Sequence, residues 1–191
     1  MTQQVGAVRP AGGLFAVPRR MDTVADLFAN VWQFGYVTSD LDRAIEFMSE
    51  RFGLEHCVKL PTGGATFLVG DRPAQWEARF AMGSRGGMII ELIEPVAGEV
   101  DFYTRLLPID GSFAIRFHHP AVFIETGDEA WERMQSILAD AGLGVRYTVL
   151  IPDRVRAAYV DMTAELGHYL EICQLQKDDT DFFSGLAADS A

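Results

Sequence analysis

Four residues, Gln33, Glu91, His119 and Glu171, carry side chains that could act together in chemistry. Each alone has an ordinary reading as a polar strand residue or a hydrogen-bonded core histidine. Glu91, however, lies inside Met88-Ile-Ile-Glu-Leu-Ile, and Glu171 inside His168-Tyr-Leu-Glu-Ile-Cys. Strand side chains alternate between faces, so each carboxylate has apolar neighbours whichever face it takes. An unpaired carboxylate is costly to bury and is expected to find a cation or to ionise abnormally. A divalent metal answers this need. One amide oxygen, one imidazole nitrogen and two carboxylates suit Zn, Ni, Co, Mn or Mg better than a thiolate-loving ion. Four such ligands on an octahedral centre leave two positions for a bidentate oxygen substrate.

The elements that must position these groups occur twice. Val31 to Thr38 reads as a strand, and Ser39 with Asp42 as a capping box. Leu41, Ala44, Ile45, Met48 and Phe52 form one apolar helical face that stops at Gly53. Strands are expected near His56 to Leu60, Thr66 to Val69, Trp76 to Met82 and Met88 to Pro95. The second half repeats the order. Ile115 to Glu125 is a strand, Thr126 with Glu129 a second capping box, and Ala130, Trp131, Met134, Ile137 and Leu138 a helical face. Strands follow near Val145 to Ile151, Val155 to Met162 and His168 to Gln174. An offset of 86 residues maps Gln33 onto His119 and Asp42 onto Asp128, and an offset of 80 maps Glu91 onto Glu171. The change of offset falls among loops, where length varies freely. Val37, Ile93, Phe123, Tyr169 and Cys173 share strand parity with the ligand positions and are the expected substrate-pocket wall.

Residues 1–30 read as an N-terminal arm, 31–100 and 113–175 as two βαβββ modules, 101–112 as a linker with a short helix, and 176–191 as an acidic tail. The composition of both ends predicts disorder, with docking of Phe182 and Phe183 on a neighbouring subunit as the alternative. A net charge of -11 without a basic cluster argues against nucleic acid and anionic membranes as partners. The N-terminus lacks the apolar core of a signal peptide, and no stretch approaches the length needed to span a bilayer. Cys57 and Cys173 stand far apart and fit a reducing cytoplasm.

The stretch Gln33-Phe-Gly-Tyr-Val-Thr-Ser-Asp-Leu-Asp-Arg-Ala-Ile, the strand Ile90-Glu-Leu-Ile-Glu-Pro, the pair His118-His119 and the final Tyr169-Leu-Glu-Ile resemble the glyoxalase/bleomycin-resistance/dioxygenase superfamily, also called vicinal oxygen chelate. Within it, Phe102-Tyr-Thr-Arg-Leu-Leu-Pro ahead of the His pair looks most like methylmalonyl-CoA epimerases. The resemblance covers about residues 31 to 175. It implies an α+β fold of two tandem βαβββ modules whose mixed sheets curl around a metal held by Gln33, Glu91, His119 and Glu171, with His118 pointing to the opposite face. The ligand types match one branch of glyoxalase I.

These readings together predict a metal-dependent isomerase, epimerase or lyase. It would remove a proton next to a carbonyl through a metal-bound enediolate, with Glu171 and Glu91 as base and acid. The substrate would be a small carbonyl compound, a thioester among the options, and a homodimer is expected. The alternative is a protein that sequesters an aromatic or antibiotic-like molecule. An extradiol dioxygenase is disfavoured, because it would use two His and one Glu on iron and Gln33 stands where one His belongs.

Overall fold

A computed structural model describes residues 20–28, 31–61 and 64–188. The described residues form one ten-stranded mixed sheet curled into a half-barrel. Its elements are β1 (Val31–Thr38), α1 (Leu41–Phe52), β2 (Glu55–Leu60), β3 (Thr66–Val69), β4 (Arg72–Ala74), β5 (Trp76–Arg85), β6 (Met88–Gly98), α2 (Asp101–Thr104), β7 (Ile115–Phe123), α3 (Asp128–Asp140), β8 (Val145–Ile151), β9 (Val155–Met162), β10 (His168–Leu175) and α4 (Lys177–Ala188). The strand order is β2-β5-β6-β1-β7-β10-β9-β8-β3-β4. The two βαβββ modules therefore meet edge to edge within one chain, through the antiparallel β1–β7 pair. The β3–β4 hairpin leaves the first module to pair with β8 of the second.

The alternating apolar pattern sorts residues to the two faces of this sheet. On the convex side α1 buries Leu41 and Ala44 against Leu54, Ala81 and Leu92. Beneath α3, Trp131, Met134 and Leu138 meet Val122, Leu170 and Ile172, joined by Met21 and Leu27 of the N-terminal segment. Each fully buried side chain of this size contributes about 1.5–3 kcal/mol. The concave side holds the largest cluster, which includes Ile89, Ile93, Tyr169 and Cys173. Glu91 and Glu171 thus share the inner face with their expected neighbours.

Both helix starts differ from the capping boxes read in the sequence. Asp40, one residue after Ser39, caps α1 by accepting a hydrogen bond from the Arg43 amide at 3.0 Å. Ser39 Oγ is engaged with the end of the linker instead, donating to the Ser112 carbonyl at 3.3 Å and accepting from the Ala114 amide at 3.2 Å. The α3 N-cap is Gly127, whose φ of 106° suits glycine, and no side chain caps that helix. Gly53 closes α1 in the left-handed conformation, as its position predicts.

The ends are corrected in part. Residues 1–19 of the expected arm lie outside the described residues, whereas Val24–Phe28 form a 3-10 helix with Leu27 buried. The acidic tail is a helix. Asp178 and Asp179 occupy its first turn, where carboxylates complement the helix dipole, and Phe183 and Leu186 give it an apolar face buried on its own chain. Among the described residues no helix is long and apolar enough to cross a membrane.

Candidate metal centre

The register of the central strands brings the four residues together. Gly35 stands opposite Glu91 on β6, and Ala121 opposite Glu171 on β10. Gly35 also faces His119, and Gln33 faces Ala121, across the β1–β7 pair. These pairings exchange with one another under the offsets found in the sequence, so the two modules are related by a pseudo-twofold axis through the site.

Two β-bulges, which sequence parity could not reveal, complete the arrangement. The β1–β7 ladder skips Trp32 on one strand and His118 on the other, positions that are again 86 residues apart. A bulge places two successive side chains on one face. Trp32 accordingly joins Gln33, and His118 joins His119, on the concave side. This corrects the expectation that His118 points outward. Pro120, which has no amide hydrogen to give a central strand, lies next to the second bulge.

The donor atoms converge. His119 Nε2 lies 3.1 Å from Glu171 Oε2 and 3.4 Å from Glu91 Oε2. Gln33 Nε2 donates to Glu91 Oε2 at 3.0 Å, and the Tyr159 hydroxyl donates to Glu171 Oε1 at 2.7 Å. Ligand atoms of Glu91, His119 and Glu171 all lie within 4.8 Å of one another. All four side chains are buried. Yet among the described residues Gln33 Oε1 and His119 Nε2 have no hydrogen-bond partner, and the carboxylates beside Gln33 Oε1 are acceptors that cannot donate to it. An orphaned buried oxygen and an orphaned buried nitrogen beside two carboxylates are what a divalent cation would satisfy. The residues present fit that group.

His118 settles which nitrogen of His119 is available. Its ring stacks on Tyr169, with centroids 4.8 Å apart, and meets Phe102 of the linker helix α2 edge-on at 4.5 Å. Its Nε2 lies 3.2 Å from the Phe102 carbonyl, an acceptor only, so this nitrogen must carry the hydrogen. Burial, then the neighbouring His119, holds His118 well below the usual imidazole range, so the ring is neutral and Nδ1 is an acceptor. His119 Nδ1, 2.8 Å away, must then donate to it. That leaves His119 Nε2 facing the carboxylates. Such second-sphere partners fix the tautomer of metal-binding histidines.

The two buried carboxylates dominate the electrostatics of the site. Burial opposes charging His119, but Glu171 and then Glu91 outweigh it and raise the imidazole to about 9. Burial pushes the Glu91 carboxyl up, an effect His119 offsets and Glu171 reinforces. The Tyr159 and Tyr103 phenols are held well above their ordinary range by burial and by the two carboxylates, and so remain hydrogen-bond donors.

Gln33, Glu91 and Glu171 line a cavity of about 370 Å³ on the concave side. Of the five residues expected in its wall, Cys173 is there, and burial raises its thiol well above the usual range. Val37, Ile93, Phe123 and Tyr169 take the expected face but are packed into the core, and the cavity is walled by others. Trp32, Tyr103 and Tyr159 were missed, as were Phe182 and Phe183 of α4. A further residue, Gly35, was hidden by its lack of a side chain. A Cβ there would lie 2.1 Å from His119 Cε1, so the imidazole occupies space that only glycine leaves.

No protein-family model and no curated protein matches the chain. Solved structures do. A methylmalonyl-CoA epimerase variant of Streptomyces coelicolor, in complex with 2-nitronate-propionyl-CoA, is 21% identical with a TM-score of 0.51, over 77% of this chain and 94% of that one. The methylmalonyl-CoA epimerase of Mycobacterium tuberculosis is 16% identical with a TM-score of 0.51, over 79% and 91%. A hypothetical protein of Bacillus halodurans is 16% identical with a TM-score of 0.50, over 77% and 94%. At these identities the likeness is one of fold: the chain has the curled, paired-module architecture of the methylmalonyl-CoA epimerases.

Proposed function

We propose that the protein is a metal-dependent isomerase or lyase that removes a proton from the carbon next to a carbonyl. The observation that carries this reading is the pairing of two buried carboxylates with the orphaned Gln33 Oε1 and His119 Nε2, in a cluster whose Gln33, Glu91 and Glu171 line a cavity. Gln33, Glu91, His119 and Glu171 would hold a divalent ion. When bound, it would act as a Lewis acid toward the substrate oxygens.

The protein's own groups divide the remaining work. Tyr159 fixes one oxygen of Glu171, and the Gln33 amide fixes one oxygen of Glu91, so both carboxylates are oriented before substrate arrives. Gln33 cannot take a proton near neutral pH, and the His119 lone pair is directed into the cluster. Glu171 and Glu91 are therefore the proton acceptors and donors. They come from pseudosymmetric strands on either side of the site, an arrangement suited to taking a proton from one face of a carbon and returning one to the other. The substrate is a small carbonyl compound, a thioester or a 2-oxo acid. The epimerases of like fold, one crystallised with 2-nitronate-propionyl-CoA, put a thioester among the candidates. A two-histidine iron site does not fit these residues. His118 reaches the inner face, but one nitrogen faces Phe102 O and the other His119.

Solvent deuterium incorporation into candidate thioester and 2-oxo substrates tests the proposal, since it detects proton abstraction without net product. The metal-loaded protein should exchange the carbon-bound proton, and Glu171→Gln should slow exchange about 10²- to 10⁴-fold while keeping metal. Wild-type rates in both Glu171→Gln and Glu91→Gln with metal bound would refute the mechanism. Tight ligand binding without any exchange would favour a sequestering protein.

A further inference from the structure

The cavity has walls that the metal ligands do not account for. Above the floor formed by Gln33, Glu91 and Glu171, the sides are aromatic, with Trp32, Trp76 and Phe80 contributing. The roof is α4, through Phe182 and Phe183. This helix is held in three places. Phe183 packs on Trp32 with centroids 5.3 Å apart, Ser84 Oγ donates to the Leu186 carbonyl at 2.6 Å, and Arg154 Nε donates to buried Asp179 at 3.1 Å.

Charge at the walls is already spent. Among the described residues lining the cavity the cations are Lys59 and Arg154. Lys59 pairs with Asp42, and Arg154 with Asp179. A ligand carrying phosphates would meet cations already neutralised by their own carboxylates, on a chain whose net charge is -11. An aromatic ring needs no cation, and the electron-rich faces of the lining rings favour edge-on or offset packing against it. The volume, about 370 Å³, is at the small end of ligand pockets.

We infer that this cavity selects a compact aromatic compound with two adjacent oxygens, its ring beneath α4 and its oxygens toward Gln33, Glu91 and Glu171. The C-terminal helix is thus the specificity wall of the site. The inference rests on the metal-dependent reading above and narrows its carbonyl substrate to aromatic ones without a phosphate-bearing carrier.

Acetohydroxamate and benzohydroxamate offer the same bidentate oxygen head and differ by methyl against phenyl. Isothermal titration of cobalt-loaded full-length protein should show benzohydroxamate binding at least about tenfold tighter, as burial of the extra apolar surface requires. Phe182→Ala, at a half-exposed roof position, should cut that preference severalfold without changing cobalt affinity, and Phe183→Leu provides a milder second variant. Propionyl-CoA should fail to displace benzohydroxamate. Equal affinity for the two hydroxamates on cobalt-loaded protein would overturn the inference and leave the metal reading standing, as would displacement by propionyl-CoA. Failure to take up cobalt would overturn the metal reading itself, and this inference with it.

Discussion

Replacing Gly35 with alanine should remove His119 from the metal centre. The added Cβ would lie 2.1, 2.4 and 2.6 Å from His119 Cε1, Nε2 and Nδ1, whereas ordinary contact begins near 3.4 Å, so the ring must retreat by about 1.3 Å. Metal–ligand distances tolerate about 0.2 Å. The ring cannot slide within the site, because His118 holds Nδ1 on one side and Tyr159 stands edge-on 5.3 Å away on another. Gly35 does not have a positive φ, so alanine adds no backbone strain and the effect is steric. Overpacking of this kind costs about 1–3 kcal/mol of stability. Loss of a ligand should weaken metal binding by more than about 100-fold, beyond what second-sphere changes typically cause. Chelator competition with zinc would measure the affinity and urea denaturation the stability. Gly83→Ala is the control, because its Cβ would meet Leu54 at 2.8 Å on the convex face, the side of the sheet away from the ligands. It should lose stability and keep metal affinity. If Gly35→Ala folds as well as the wild type and binds zinc as tightly, His119 is not where the reasoning needs it.

His118→Ala should lower metal affinity about 10- to 100-fold, by freeing the His119 tautomer, while the near-ultraviolet circular dichroism stays native. Unchanged zinc affinity in competition titrations would deny the positioning role. In metal-free protein the His119 imidazole sits at about 9 against an ordinary 6.5. Its protonation therefore stabilises the fold fully below about pH 6.5, and that contribution is lost as the pH rises through about 9. Melting temperatures should fall over this window without metal and much less with it. A metal-free profile that is flat or rising there would contradict the buried Glu–His–Glu electrostatics.

What could be read in the sequence was whatever side-chain chemistry and periodicity carry. Gln33, Glu91, His119 and Glu171 were findable because the helix and strand registers repeat and polar residues in apolar runs need a reason. Alternation gave the residues that share a face with each glutamate, Ile93 and Cys173 among them, but left open which face is the inner one. The bulges at Trp32 and His118 were not findable, since a two-for-one pairing is a property of the partner strand, and alternation sent His118 outward. The cap of α1 moved by one residue because Ser39 found the linker backbone to bond instead. The tail's acidic composition obscured α4, whose Phe183 and Leu186 needed a concave cavity mouth that only the assembled sheet provides. The crossing of the β3–β4 hairpin to β8 and the packing of Phe102 behind His118 likewise depend on long-range closure. Gly35 was silent because its contribution is the absence of a Cβ.

The most direct test of the central claim is anomalous diffraction at the cobalt edge from crystals grown with cobalt. The account predicts one strong peak per chain, with donor atoms of Gln33, Glu91, His119 and Glu171 about 2.0–2.3 Å away. His119 should bind through Nε2. A peak elsewhere, or none at these four residues with their side chains ordered, would contradict it.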